Sequence, residues 1–232
     1  MKPLGVKNYG SIPHLFGSKL GKTDKYIHEG QHRILTEKTR DRYDLVIVTE
    51  KYDGSNVGVT RKNGNILALT RSGYLANTSP YKQHHVFSNW VETNKKRFSH
   101  LKEGERIVGE WLYQVHSIEY KIMCEPFVIF DSFNSSNERN LFSLTVHKAS
   151  LMELETVRII GIGNCAFDIQ KCLRILNKRN SVIQSIEKPE GLVYRVERKD
   201  KFDFMAKYVR PDYESGKHIN VDEKDFKFNC VL

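Results

Sequence analysis

The chain has 232 residues, 39% of them hydrophobic, which is enough for one large domain or two small ones and argues against a disordered chain. No apolar run approaches the roughly 18 residues that a membrane helix needs, and residues 1–8 lack the apolar core of a signal peptide. With 37 basic and 28 acidic residues the formal net charge is +9, which favours an anionic partner, most simply a nucleic acid.

The cysteine pattern argues against a zinc-binding or disulfide-stabilised protein. Cys124, Cys165, Cys172 and Cys230 form no Cys-x-x-Cys pair and no spacing typical of zinc. We expect free thiols in a reducing compartment, and therefore a cytoplasmic or otherwise intracellular protein without a membrane partner.

The predicted elements begin after a polar stretch of about 40 residues. A β-branched run at 45–49 predicts a strand, and two more runs, at 57–60 and 66–70, flank Asn63-Gly64. This dipeptide is typical of a tight hairpin turn, because both central residues take a positive φ. After Pro80 the apolar period becomes that of a helix, whose predicted buried face is formed by Phe87, Trp90, Val91, Asn94 and Phe98.

Strands and helices alternate in the second half of the chain. We expect strands at 106–113, 127–130, 157–162, 191–196 and 204–210, and helices near 144–155 and 166–177. Strands in hairpin-like succession with interspersed helices predict an α+β fold with mostly antiparallel sheets. No repeat or linker marks a boundary, so we expect one domain over residues 1–232.

A lysine at the end of the first strand is the first candidate for chemistry. Lys51 follows Glu50 and precedes the turn Asp53-Gly54. A lysine attacks phosphorus only when its amine is neutral, so its pKa would have to be lowered by burial or by positive charge. The glycine would let phosphates approach the backbone closely. Taken alone, the same residues also describe an ordinary turn at a strand end.

Five further residues at or beside predicted strands suit phosphoryl chemistry. Arg71 could bind a phosphate with its guanidinium, and Glu110, inside an apolar strand, needs a partner such as a ribose hydroxyl, a metal or a core lysine. Phe130 could stack on a base or fill a core. Glu190 precedes a strand, and Lys207 lies inside the next one, where it either faces a cleft or guards a sheet edge.

The order of these segments resembles that of the covalent nucleotidyltransferase superfamily, which contains ATP-dependent RNA and DNA ligases and GTP-dependent capping enzymes. The resemblance covers residues 50 to about 210 and is closest to RNA ligases of the RNA ligase 2 type. Asn56 follows Lys51 by five residues, where DNA ligases usually carry arginine, and Arg71 follows it by twenty.

The resemblance implies a nucleotidyltransferase, ATP-grasp-like fold and an ATP-dependent RNA ligase that joins 5′-phosphate and 3′-hydroxyl ends. It implies that Lys51 attacks the α-phosphate of ATP and holds AMP, that Lys207 stabilises the developing charge, and that Glu190 helps to hold Mg²⁺ or Mn²⁺. The other nucleotide contacts implied are Asp53 and Gly54 in the turn around the phosphates, Asn56 and Arg71 on phosphate, Glu110 on ribose, and Glu50 and Phe130 on adenine, with Phe127 as the alternative to Phe130.

Two departures from the family pattern are visible. Met205 stands where the family usually has the first lysine of a Lys-x-Lys pair. The segment after Lys207 is too short for an appended OB domain or helical domain, so we expect an isolated nucleotidyltransferase domain.

Several alternatives stay open at this level. The chain could be a DNA nick ligase, a GTP-using capping-type enzyme or a non-catalytic nucleic-acid-binding homologue. An RNA ligase could act on nicked or end-bearing RNA, or on a duplex that contains DNA. The histidines at positions 84, 85 and 116 are expected to have surface or core roles.

Overall fold

Two four-stranded antiparallel sheets form the frame of the computed structural model, which describes residues 2–178, 182–219 and 225–230. The first sheet has the order β10-β9-β1-β7, with β1 (Asp44–Lys51), β7 (Ile159–Gly163), β9 (Gly191–Arg198) and β10 (Lys201–Val209). The second has the order β3-β2-β4-β6, with β2 (Ser55–Lys62), β3 (Asn65–Thr70), β4 (Arg106–Trp111) and β6 (Phe127–Phe133). A separate ribbon pairs β5 (Tyr120–Ile122) with β8 (Ile183–Ser185).

Four helices accompany these sheets: α1 (Glu29–Thr36), α2 (Lys82–Thr93), α3 (Phe142–Leu151) and α4 (Ile169–Leu176). Short 3₁₀ helices cover Ala76–Thr78 and Lys95–His100. The start of α4 is set by Asp168, whose carboxylate accepts a hydrogen bond from the Lys171 amide at 2.8 Å, as expected of an N-cap. Within the described ranges, every helix is too short or too polar to cross a membrane.

The strand register decides which side chains meet. In the first sheet Lys51 lies opposite Gly191, and Lys207 lies opposite Val193 on the same central strand. In the second sheet Asn56 lies opposite Glu110. Lys51 at the end of β1 and Lys207 on β10 therefore lie on either side of the start of β9, close to Glu190.

The chain passes from the first sheet to the second through the turn that contains Gly54. A Cβ atom at this position would lie 2.6 Å from the Trp111 carbonyl oxygen and 2.9 Å from Leu112. Glycine is needed here because the turn packs directly against the end of β4. The sequence predicted glycine at this turn for a different reason, the close approach of a phosphate to the backbone.

An apolar cluster with members from both sheets holds them together. It contains Ile47 and Val209 of the first sheet, Val128 of the second, and Phe142 of α3. A separate cluster packs Phe87 and the other aromatic residues of α2 under the second sheet. Burial of these large side chains is the main source of stability for a domain of this size.

The predicted α+β architecture is confirmed, and so is the hairpin at Asn63-Gly64, where φ is 51° and 75°. The helix predicted after Pro80 ends earlier than expected, at Thr93, and Phe98 lies in the following 3₁₀ helix. The third helix covers Phe142–Leu151 rather than 144–155. Sequence periodicity missed α1, which has a single buried apolar residue, and the short strands of the ribbon.

Candidate functional site

A cavity of about 520 Å³ is lined by residues of both large sheets. Its volume lies within the range of small-molecule sites. Every residue predicted for the site lines it: Glu50, Lys51, Asp53, Gly54, Asn56, Arg71, Glu110, Phe130, Glu190 and Lys207. Residues far apart in the sequence therefore meet in one place, as the ordered motifs require.

Lys51 lies at the end of β1 with 24% of its side chain exposed, and its Nζ donates a hydrogen bond to Glu190 Oε2 at 2.7 Å. Burial lowers the pKa of Lys51, but the carboxylates of Glu190, Glu110 and Asp53 outweigh burial, and the net shift is upward. The lowered pKa predicted from the sequence is wrong here, because three carboxylates surround the amine.

The cavity carboxylates are themselves hard to ionise. Burial raises the pKa of Glu110 to about 8 and that of Glu50 to about 7, and it also raises the pKa of Glu190. Glu110 Oε1 accepts a hydrogen bond from the Gly54 amide at 3.1 Å, which fixes the turn after Lys51. Perturbed carboxylates gathered around one lysine are typical of a functional site.

Asp53 anchors a neighbouring loop as well as lining the cavity. Its Oδ2 accepts hydrogen bonds from the amides of Ser117 at 2.7 Å and Ile118 at 3.1 Å. Its own amide donates to the Tyr120 hydroxyl at 2.9 Å. The Asp53 side chain therefore holds loop 112–119 against the turn that carries Lys51.

Lys207 enters the cavity from β10, with a different partner. Its Nζ lies 3.7 Å from Asp24 Oδ1, and the other oxygen of Asp24 lies 3.1 Å from His14 Nε2. Burial, followed by the charge of Lys51, lowers the pKa of Lys207. The sequence argument missed Asp24 and His14, because neither lies in a motif and only the pairing of residues 13–15 with β10 brings them here.

Two polar groups suit the phosphates that the sequence assigned to them. Arg71 donates only to Ser11 Oγ, at 3.1 Å, among the hydrogen bonds of the described residues. Asn56 Oδ1 is buried, and it has no hydrogen-bond partner within residues 2–178, 182–219 and 225–230. A buried acceptor without a partner is costly, so Asn56 Oδ1 is placed to accept a hydrogen bond from a ligand donor, and only the Asn56 Nδ2 could donate to a phosphate oxygen.

The structure separates the two phenylalanines that the sequence left as alternatives. Phe130 lines the cavity and meets Tyr9 edge-on, with ring centroids 5.1 Å apart. Phe127 is fully buried under the second sheet, 5.0 Å from Phe87 and 5.8 Å from Trp90. Only Phe130 is therefore placed to stack on a base.

The methionine at the family's lysine position also lines the cavity. Met205 lies opposite Arg195 across β9 and β10, and the Tyr9 hydroxyl donates to its sulfur at 3.4 Å. Arg195, which the sequence argument missed, cannot replace the lysine as a free cation. Its guanidinium bonds Glu197 at 2.7 Å and Asp131 at 3.1 Å.

Two of the histidines for which a surface or core role was expected rather than metal ligation line the cavity wall. His84 belongs to the first turn of α2, and His116 belongs to loop 112–119. The expectation holds for His85, which is exposed and is not part of the wall.

Comparison with known protein families identifies the family of this chain. A family model described as RNA ligase matches residues 44–209. The chain belongs to the RNA ligase family. The matched segment runs from the start of β1 to the end of β10, and it contains both cavity lysines. A comparison with curated proteins finds no match.

Solved RNA ligases share the fold of this RNA ligase family member. A Naegleria gruberi RNA ligase variant with ATP and Mn is 19% identical, with a TM-score of 0.51 over 87% of this chain and 60% of that one. The N. gruberi RNA ligase with PPi is also 19% identical, with a TM-score of 0.50 over 85% and 58%. An archaeal ATP-dependent RNA ligase has 19% identity, a TM-score of 0.48, and coverage of 72% and 42%. The chain thus spans 42–60% of these relatives, and the nucleotidyltransferase fold is confirmed.

Proposed function

We propose that this protein is an ATP-dependent RNA ligase that joins RNA 5′-phosphate and 3′-hydroxyl ends through AMP bound covalently to Lys51. The observation that carries the proposal is the cavity in which Lys51 meets Glu110, Glu190 and Lys207, which come from β4, the start of β9 and β10. Membership of the RNA ligase family supports it, and so do the solved relatives with ATP and Mn or with PPi.

Adenylylation of Lys51 requires a neutral amine. The ammonium first gives one proton to water. The Nζ–Pα bond then forms as the bond from Pα to the pyrophosphate oxygen breaks, pyrophosphate leaves with the electron pair of that bond, and the second Nζ proton passes to water. Because Glu190 raises the pKa of Lys51, positive charge must enter the cavity before the amine becomes nucleophilic. Lys207, which lines the same cavity as Lys51, is placed to stabilise the α-phosphate oxygens during the transfer.

A divalent metal fits the residues present, provided that the substrate shares in binding it. Within the described ranges no group of three or more His, Cys, Asp and Glu side chains could hold a metal ion alone. Mg²⁺ usually binds through one or two carboxylates together with substrate phosphates and water. Glu190, beside Lys51, is the carboxylate placed for this role. The ion would supply the positive charge that the phosphates and Lys51 require.

The remaining wall of the cavity suits a nucleotide. Phe130 would stack on adenine, and Glu50, which lines the same cavity from the end of β1, would help to recognise the base. Glu110 would accept hydrogen bonds from the ribose hydroxyls, while Asn56 and Arg71 would donate to phosphate oxygens. Asp53 and Gly54 would hold the loop around the phosphates.

RNA is the proposed polynucleotide, in agreement with the family and with the net charge of +9. After adenylylation, AMP passes from Lys51 to the RNA 5′-phosphate. The 3′-hydroxyl of a second end then attacks that phosphate and releases AMP. Whether the ends lie in a nick, a single strand or a duplex that contains DNA is decided by comparing those substrates.

Covalent labelling tests the proposal. The protein is mixed with Mg²⁺ and ATP labelled on the α-phosphate, and then denatured, with α-labelled GTP in a parallel reaction. We expect acid-labile, alkali-stable label on the protein from ATP alone, and none on Lys51→Ala. Label from GTP would instead indicate a capping-type enzyme. Absence of label from both nucleotides would refute the ligase and favour a non-catalytic binding homologue.

A further inference from the structure

An exposed aromatic cluster lies on the N-terminal segment, outside the cavity. The ring of Phe16 meets that of Tyr26 edge-on, with centroids 5.3 Å apart, and that of His32 on α1 at 4.6 Å with an interplanar angle of 32°. Phe16 is 38% exposed and Tyr26 is 47% exposed. We call these three residues the aromatic platform. None of them lines the cavity, and a contiguous exposed patch of rings indicates an interaction site.

Backbone pairing holds the platform beside the strand that carries Lys207. The Leu15 amide donates to the Lys207 carbonyl at 2.8 Å, so the chain just before Phe16 lies against β10. His14 bridges to Lys207 on one side and to Tyr26 on the other, both in parallel register. Tyr26 therefore lies two strand spacings, about 10 Å, from the Lys207 backbone. Because the pairing fixes the rings before any ligand binds, little ordering is needed on binding.

His32 completes the platform as an uncharged ring. Burial lowers the pKa of His32 more than the carboxylates of Glu37 and Glu29 raise it, so the imidazole is neutral at pH 7. The Phe16 amide donates to His32 Nδ1 at 3.4 Å, which requires that nitrogen to be without its proton. The platform therefore offers three neutral rings to a ligand.

The charge around these rings is positive. Residues 16–27 contain three exposed lysines, Lys19, Lys22 and Lys25. The single acidic residue of this segment is Asp24, which already lies 3.1 Å from His14 and 3.7 Å from Lys207. Exposed rings interleaved with lysines are typical of surfaces that bind single-stranded nucleic acid, because bases stack on the rings and the lysines neutralise phosphates.

The size of the cavity supports a polynucleotide contact outside it. Its volume of about 520 Å³ is that of a small-molecule site, so a polynucleotide whose end reaches Lys51 must continue over the surface. The platform lies on such a surface, beside the strand of Lys207. Bases inside a duplex already stack on one another, so exposed rings favour an unpaired strand.

We propose that the aromatic platform binds single-stranded RNA, with bases stacked on Phe16 and Tyr26 and phosphates near Lys22 and Lys25. That this strand is a substrate for joining rests on the proposed function. Binding of the strand does not, and it is measured without ATP.

Fluorescence anisotropy with a labelled oligoribonucleotide of about 12 nucleotides tests the platform. We expect Phe16→Leu and Tyr26→Ala each to weaken binding roughly fivefold to thirtyfold, the usual effect of losing one stacked base. Phe16→Leu keeps an apolar side chain and removes only the ring, whereas Tyr26→Phe keeps the ring and should retain the affinity. Tyr43→Ala is the matched control, since Tyr43 is also 47% exposed, lies beside Arg42, and precedes β1 at the end remote from Lys51.

Salt dependence gives a second signature that a structural role would not produce. The double variant Lys22→Gln/Lys25→Gln should reduce the slope of log affinity against log salt by about 1.4, at about 0.7 for each cation lost. Phe16→Leu should leave that slope unchanged because no charge is lost. Lys199→Gln, beside Tyr43, is the control for the lysines. Unfolding temperatures of all variants are compared with the wild type, so that misfolding is recognised.

A blunt duplex of the same sequence separates stacking from general attraction of nucleic acid. Loss of single-strand binding in both ring variants, with duplex binding unchanged, supports the platform. An equal loss for the duplex or in Tyr43→Ala overturns it. Unchanged single-strand binding also overturns it and favours a protein partner for the exposed rings. Failure of the ligase itself is recognised separately, because it abolishes labelling of Lys51 by ATP and leaves the binding measurements interpretable.

Discussion

The two large sheets contribute different kinds of residue to one cavity. The first sheet carries the groups proposed for transfer, Lys51, Glu190 and Lys207, and the second carries groups proposed for recognition, Asn56, Glu110 and Phe130. Within the first sheet the two lysines also differ. The pKa of Lys51 is raised by a carboxylate at 2.7 Å, whereas that of Lys207, whose partner lies at 3.7 Å, is lowered by burial and by Lys51.

The difference shows that Lys51, the proposed nucleophile, is held in a close ion pair, whereas Lys207 in the same sheet is paired more weakly. Substitutions in the first sheet should therefore change the rate and pH dependence of adenylylation. Substitutions on the cavity face of the second sheet should change nucleotide affinity instead.

The largest effect is expected for Glu190→Gln, which removes the hydrogen-bonded carboxylate of Lys51. We expect the maximal labelling rate to fall about 100-fold, as is common when a charged positioning group is lost. Because Glu190 raises the pKa of Lys51, the variant should reach its maximum at a lower pH. Labelling rates measured from neutral to alkaline pH check both effects.

Glu187→Gln is the control for this experiment, since Glu187 is exposed and pairs with Lys217 at 3.2 Å, outside the cavity. A Glu190→Gln variant with the wild-type rate and pH profile would contradict the role given to the Lys51–Glu190 pair.

The second prediction separates stability from recognition within one strand. Phe127→Ala should lower the free energy of unfolding by about 3–5 kcal/mol, because it opens a cavity in the aromatic cluster. Phe130→Ala should cost less stability and should raise the KM for ATP, since its ring faces the cavity. Chemical denaturation and nucleotide-dependent labelling measure the two effects. Equal behaviour of the variants would refute the separation of roles.

The third prediction concerns the joint between the sheets. Gly54→Ala places a methyl group against the Trp111 carbonyl and should cost about 1–3 kcal/mol of stability, with slower labelling because the turn after Lys51 shifts. Gly163→Ala is the matched control, since its added Cβ would find its nearest atom, Cys165 Sγ, at 3.5 Å. Thermal unfolding of the two variants tests this prediction. A Gly54→Ala variant as stable as the wild type would show that the turn can relax.

Local signals in the sequence predicted the features that depend on local chemistry. The Asn63-Gly64 hairpin and the Lys51–Gly54 turn follow from neighbouring residues, and both are found where they were expected. The shift of the Lys51 pKa could not be predicted, because it depends on Glu190, which lies 139 residues away. The places of Asp24 and His84 in the cavity could not be predicted either, because neither residue lies in a motif and only the fold brings them there.

The smallest effect is expected for Asp24→Asn, which tests how Lys207 keeps its charge. Asp24 raises the pKa of Lys207 against burial, so its removal should lower that pKa further. Lys207 would then lose its proton at a lower pH. Because labelling needs the Lys207 charge, labelling should decline at alkaline pH, and this decline should move to lower pH in the variant. Asp212→Asn, in an exposed pair with Lys188 at 3.2 Å, is the control. In the double variant Asp24→Asn/Lys207→Arg the arginine stays protonated, so the decline should disappear; if it persists, the titrating group is not Lys207.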